Sequence, residues 1–222
     1  MHYIKEIYFI ICEGNSEFAY IQELNRYLEN NNYLFILNPI RIGNGHFKAV
    51  RKKYNDFKKA NPRNQNIIIW VDKDVYIRND NGDKKAYENK WDVPNFIFNL
   101  NNFEDFLVMH MPTHILEKWQ DICRKKKHFE KPLCEDEYLP LYRKSIFPKY
   151  EKGNIPFEIK DEYIQQALLN QKNTNILFKS DFLDLLSDLM ELSQKKATNC
   201  SDDEYKKLWN KNISKWVYIK RQ

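Results

Sequence analysis

Apolar and β-branched residues gather in short runs along this chain, and each run stops on a polar or acidic residue. The sharpest is Ile67-Ile68-Ile69-Trp70-Val71, which ends on Asp72-Lys73-Asp74. An unbroken apolar run of this kind reads as a strand buried on both faces, as in a parallel sheet. Tyr3 to Cys12 is a first strand of similar composition. It stops at Glu13-Gly14, where the glycine permits a tight turn. Tyr33 to Ile42 reads as a second strand, and Phe96-Ile97-Phe98 as a short fourth. Between the strands the period changes. Asn15 or Ser16 suits a helix N-cap, and Phe18, Ile21, Leu24 and Leu28 follow at helical spacing. Gly43-Asn44-Gly45 is a turn. Phe47, Val50, Tyr54 and Phe57 mark a second helix, ended by Asn61-Pro62. Arg78 to Lys90 is polar and reads as an exposed loop with a short helix.

From Phe103-Glu104 onward the pattern is helical. Phe106, Leu107 and His110 belong to one helix, and Ile115, Leu116, Trp119 and Ile122 to the next. Further helices are predicted from about Glu158 to Leu169, from about Asp181 to Lys195, and from the capping box at Ser201-Asp202-Asp203-Glu204 to about Trp216. Strands alternating with helices call for a parallel sheet with right-handed crossovers. The expected fold class is therefore α/β: a Rossmann-like, mostly parallel sheet flanked by helices over residues 1–112. A C-terminal helical region over residues 113–222 packs on that core or completes it.

Composition narrows this picture. The 222 residues are 42% hydrophobic and 15% aromatic, which places the chain among globular proteins long enough to bury a sizeable core. A formal net charge of +5 is compatible with a polyanionic partner without demanding one. Basic residues collect on the second helix (Lys48, Arg51, Lys52, Lys53, Lys58, Lys59) and along Arg124 to Lys127. Such stretches suit either a solvated helix face or a track for a phosphate backbone. Tyr33, Tyr54 and Trp70 read as core or sheet-packing groups. No apolar run approaches the ~20 residues that cross a bilayer. The first strand lacks the basic lead-in and small-residue cleavage site of a signal peptide. Cys12, Cys123, Cys134 and Cys200 follow no zinc spacing and no disulfide framework. A cytoplasmic protein with reduced thiols and no membrane partner is the expectation.

The acids at the strand ends carry the candidate chemistry: Glu13, then Asp72 with Asp74, then Glu104. Ligand sites of open α/β sheets lie just beyond the carboxyl ends of the strands. Asp72 and Asp74 share a side while the chain stays extended, and Lys73 faces away from them. Two acids there repel unless a cation sits between them, and a divalent metal answers that need. A solvated acidic loop is the alternative. A strand ending in Asp-x-Asp also suits the metal of a glycosyltransferase, but that leaves Glu13-Gly14 and Phe103-Glu104 unexplained. An ATPase is disfavoured, because no Gly-x-x-x-x-Gly-Lys-Ser/Thr exists.

Glu13-Gly14, followed by Glu17 and Tyr20, resembles the first Toprim motif, and Asp72-Lys73-Asp74 resembles its paired-aspartate motif. Asn101-Asn102-Phe103-Glu104, with His110 further on, is similar to the Asn-Pro-x-Phe-Glu…His signature of RloB-like proteins. Tyr150-Glu151-Lys152-Gly153 is similar to that family's later Tyr-x-Lys-Gly. The matches run from Glu13 to Gly153. Asn102 stands where the family usually has proline, and Phe106 where tryptophan is common.

The resemblance implies a Toprim-like fold and a metal-dependent nuclease using Mg²⁺, or Mn²⁺, on DNA or RNA. It also implies links to anti-phage defence and to an ATPase partner of the AAA or ABC type. Glu13, Asp72 and Asp74 are then the expected metal ligands, with Glu13 also a candidate general base. Glu17 is a further ligand or a solvated first-turn acid. Glu104 is a catalytic candidate or a plain helix N-terminal acid, His110 orients it or touches phosphate or is a satisfied core group, and Lys152 neutralises charge on a phosphate or is a surface lysine in a turn. A regulatory or nucleic-acid-binding subunit, silent until an ATPase engages it, stays open, as does a homo-oligomer.

Overall fold

β1 (Glu6–Cys12) and β3 (Ile67–Asp72), whose apolar runs end in acids, lie side by side and parallel. In the computed structural model, residues 5–42, 47–62, 66–72, 96–198, 200–213 and 216 are described. The turn expected at Gly43 to Gly45, the loop expected over Arg78 to Lys90, Lys73 and Asp74 lie outside the described residues. With β2 (Phe35–Arg41) and β4 (Phe96–Asn99), the strands form one all-parallel sheet in the order β2-β1-β3-β4. In register, Cys12 lies between Arg41 and Trp70, and Asp72 lies beside Asn99.

The sheet is covered on both faces because its connections run in opposite directions. Helix α1 (Asn15–Asn30) joins β1 to β2 toward one edge, and α2 (Phe47–Ala60) carries the chain from β2 back past β1 to β3. Right-handed crossovers running opposite ways put their helices on opposite faces. The packing agrees. Tyr8, Ile10, Ile68 and Trp70 meet Tyr20, Ile21 and Leu24 of α1, whereas Ile11, Ile69 and Val71 meet Val50 and Tyr54 of α2. Odd and even positions of each strand thus belong to different cores, as the pleat requires.

The remaining helices join the face that α1 covers: α3 (Phe103–Val108), α4 (Thr113–Lys125), α5 (Glu135–Ser145), α6 (Asp161–Lys172), α7 (Asp181–Ala197) and α8 (Asp202–Asn212). They share one apolar core with the sheet. The backbone of Phe98 donates to Asp181, and Ser180 bridges to Asn99. Helix α8 is tacked to β1 through Tyr205 OH on Glu6 and Trp209 Nε1 on Tyr8 OH. Helix α6 starts at Asp161 rather than near Glu158, leaving Ile159 buried ahead of an extended Lys160 and setting two acids in the first turn, where the helix dipole favours them. All four cysteines are free thiols. Among the described residues no helix is long and apolar enough to cross a membrane.

Candidate functional site

The site is built where the chain direction switches. From β1 the chain leaves toward the β2 edge, and β4 lies beyond β3 on the other side. The crevice above β1 and β3 is thus the switch point at which open α/β sheets bind ligands. Glu13 stands directly after β1 and Asp72 ends β3. The Asp72 backbone N–H donates to Glu13 Oε2 across 3.2 Å. Asp72 is itself aimed from two sides: Asn99 Nδ2 donates to Oδ1 at 2.8 Å, and the Phe103 N–H at the start of α3 donates to Oδ2 at 3.0 Å.

Two more carboxylates close on this pair. Glu17, expected as a ligand or a solvated acid, is buried. Its Oε2 accepts from the Gly14 N–H at 3.2 Å. Gly14 has φ −130°, an extended conformation open to any residue. A Cβ here would lie 3.1 Å from Glu17 Oε2, a tight contact that this side chain would have to ease. Burial, then the charges of Glu13 and Glu104, push the Glu17 carboxyl up to about 8. Glu104, on α3, is also buried, and burial raises its carboxyl even though Lys152 and a hydrogen bond from Tyr150 OH, 3.0 Å from Oε1, pull the other way.

The loop from Tyr150 to Gly153 reaches the site from far along the chain. Beside the Tyr150 bond to Glu104, the Gly153 N–H donates to Ser16 Oγ at 3.0 Å, in the first turn of α1. Gly153 has φ +94°, which favours glycine. Lys152 between them is half exposed, with Nζ 2.6 Å from Glu135 Oε2. Burial acts to lower its ammonium, but the Glu135 hydrogen bond and the charges of Glu104, Glu135 and Glu17 raise it on balance. The structure therefore brings Glu13, Asp72, Glu17, Glu104 and Lys152 to one end of the sheet.

His110 follows the core alternative. It is fully buried, with Nδ1 at 3.2 Å from the Phe106 carbonyl and Nε2 at 2.8 Å from Tyr20 OH. A carbonyl only accepts, so Nδ1 carries the proton and Nε2 accepts from Tyr20. Burial lowers this imidazole to about 4 and keeps it neutral. The expected role in orienting Glu104 or touching phosphate gives way to a core role, because both nitrogens are already occupied inside the apolar interior.

Asn99, which belongs to no motif, holds the site together. It is buried, its Oδ1 accepts from Trp70 Nε1 at 3.0 Å and Ser180 Oγ at 2.7 Å, and its amide holds Asp72. Its sequence signal was slight: one asparagine ending a short apolar run.

A second buried group, Asp105, Cys123 and His128, places its potential ligand atoms within 4.8 Å of one another. The hydrogen bonding argues for a structural role. Asp105 accepts from Trp119 Nε1 at 2.7 Å, Tyr138 OH at 2.7 Å and His128 Nε2 at 3.0 Å. His128 Nδ1 accepts from the Leu133 N–H, so its Nε2 bears the proton and offers no lone pair to a metal. This network ties α3 to α4 and α5.

Of the basic stretches, Arg51, Lys52 and Lys59 are exposed on α2, and Arg124 to Lys127 are exposed where α4 ends. Tyr54 and Trp70 are core groups, as their pattern indicated.

The carboxylates at the switch point are hard oxygen donors, and burial above all raises those of Glu17 and Glu104. That is the donor set a hard divalent cation fits. No protein-family model matches the chain, and no curated protein or solved structure matches it either.

Proposed function

We propose that this chain is a Toprim-type, Mg²⁺-dependent phosphodiesterase that cleaves nucleic acid. The observation that carries the reading is the joining of Glu13 and Asp72 at the carboxyl ends of adjacent parallel strands, with Glu17 and Glu104 against them. Glu13 and Asp72 would hold the cation, with Asp74, outside the described residues, as a further ligand; Mn²⁺ suits the same oxygens. Bound there, a divalent cation lowers the pKa of a coordinated water and neutralises charge on a phosphoryl group.

The chain's own groups divide the remaining work. Asn99 and the Phe103 N–H hold the Asp72 carboxylate in one orientation. Without a cation, burial and the charges of Glu13 and Glu104 hold the Glu17 carboxyl up to about 8, and its Oε2 accepts from the Gly14 N–H. Glu104 is fastened by Tyr150. Lys152 offers a cation at the rim, where a phosphate would arrive. The exposed basic residues of α2 and of the end of α4 suit a phosphate backbone. A part in anti-phage defence and an AAA or ABC ATPase partner rest on the motif resemblance alone, and a cytoplasmic setting on the cysteine pattern.

The test uses labelled DNA and RNA with the purified chain in Mg²⁺, Mn²⁺ or EDTA. Cleavage is expected to need the metal and to be lost in Asp72→Ala and Glu13→Gln, each checked for an intact circular dichroism spectrum. Cleavage that persists in folded Asp72→Ala and in excess EDTA would overturn the reading.

A further inference from the structure

The loop from Asn99 to Phe103 holds the Asp72 carboxylate at both its ends, and the side chains of Asn99 and Asn102 each have a partner. Asn99 holds Asp72, Trp70 and Ser180. The Leu100 N–H donates to the Lys179 carbonyl at 2.7 Å. Asn102 Oδ1 caps α3 by accepting from the Asp105 N–H at 2.9 Å, and the Phe103 N–H holds the other Asp72 oxygen. Asn101 is the exception. It is 6% exposed, and its Nδ2 is the one buried side-chain nitrogen or oxygen that finds no partner among the described residues.

An unpaired buried donor is costly, and native proteins keep few of them. Asn99 and Phe103, on either side of it in the loop, both hold the Asp72 carboxylate, yet this amide has no acceptor of its own. We infer that the Asn101 side-chain amide donates to a phosphoryl oxygen of the substrate, forming a neutral phosphate-binding point beside the carboxylate cluster. The inference rests on the phosphodiesterase reading and adds a recognition residue to it.

The chemistry favours this ligand. The amide NH₂ only donates, and a non-bridging phosphodiester oxygen only accepts. A lysine in the same place would be captured by the carboxylates, as Lys152 is captured by Glu135. A neutral donor stays available. It also gains strength from meeting a charged acceptor in a site screened from water.

The experiment uses the full chain, Mg²⁺ alone as one probe, and as the other a fluorescein-labelled DNA oligonucleotide in Ca²⁺ in place of Mg²⁺, to hold back cleavage. Mg²⁺ affinity is read by calorimetry and oligonucleotide affinity by anisotropy. Asn101→Ala is expected to melt no lower than the wild type and to bind Mg²⁺ equally, while binding the oligonucleotide about 10-fold more weakly. The isosteric Asn101→Asp should bind it more weakly still, and it carries the comparison if the alanine variant does not fold. Unchanged oligonucleotide affinity in folded variants that still bind Mg²⁺ would overturn the inference and leave the amide a structural or water-binding group. A wild-type chain that binds neither probe would instead overturn the phosphodiesterase reading, and this inference with it.

Discussion

Trp70 lies flat on Phe182, with ring centroids 4.1 Å apart and planes 11° from parallel. One ring stands two residues before Asp72 on β3, and the other opens α7 in the second half of the chain. The strand that presents Asp72 is thus clamped by a residue more than a hundred positions away. Phe182→Ala removes one face of that clamp and leaves a cavity beside the indole. A loss of about 3–5 kcal/mol is expected, read from denaturant unfolding. A loss below about 1 kcal/mol would mean that the two halves do not share a core.

Stability should also report the crowded carboxyls. Glu17 is held at about 8 by burial and the charges of Glu13 and Glu104, and Glu104 shifts the same way. In the unfolded chain a glutamate titrates near ~4.3. The stability drawn from the protonated Glu17 is therefore full below that pH and is lost as pH rises through about 8. His110 acts at the acid end with the opposite sign. Burial sets it at about 4, so its contribution is present above ~6.5 and lost as pH falls through about 4. From pH ~6.5 to 8, of these groups only the carboxyls matter. Wild-type melting temperature should fall across that window, and Glu17→Gln should flatten the fall. Equal slopes in the two proteins would contradict the buried, protonated Glu17.

Lys127 occupies the left-handed region, with φ +56°, directly after α4. The His128 N–H bonds back to the Cys123 carbonyl at 2.9 Å and the Lys127 N–H to that of Arg124 at 3.0 Å. This pairing is a Schellman motif, whose left-handed position is ordinarily glycine. Lys127→Gly should relieve the side-chain penalty and stabilise the chain by up to about 1 kcal/mol, visible as a raised unfolding midpoint. If the exposed basic cluster there also follows a phosphate backbone, the same variant should bind DNA with a weaker salt dependence.

Much of this organisation was legible from residue pattern. The unbroken Ile67 to Val71 run announced a strand buried on both faces, and its stop at Asp72 announced the site. Strand order was not legible, because Cys12 and Trp70 are adjacent in space only through the path of α1, β2 and α2. Asn99 and Asp105 escaped notice for another reason. A buried asparagine or aspartate looks like a solvated one until its donors are known, and those donors, Trp70, Trp119 and Tyr138, read as ordinary core aromatics. At Lys127 the residue type argued against the left-handed turn that the chain makes.

Lys179 illustrates the same difficulty and yields a test. Its Nζ lies 3.2, 2.6 and 2.8 Å from the carbonyl oxygens of Asn170, Gln171 and Asn173, at the end of α6. The ammonium completes carbonyls that the helix end leaves open. Lys179→Met should cost about 1–3 kcal/mol. It should also speed hydrogen exchange at the Leu100 amide, which bonds to the Lys179 carbonyl. Unchanged exchange at Leu100 would show that the helix end and the β4 exit are independent.

The loop bearing Lys152 is tied down on both sides, by Tyr150 to Glu104 and by Gly153 to Ser16. Holding one residue's backbone in place costs about 1–2 kcal/mol, and here folding has already met that cost. Only the rotation of a single flexible stem is left to the encounter with a ligand, and exposed side chains turn over in picoseconds to nanoseconds. The ammonium parked on Glu135 can change partners far faster than a typical catalytic turnover, with no movement of the main chain. On the proposed reading, the rim of the site would carry a ready cation on a tethered loop, lent to an arriving phosphate and recovered when it leaves.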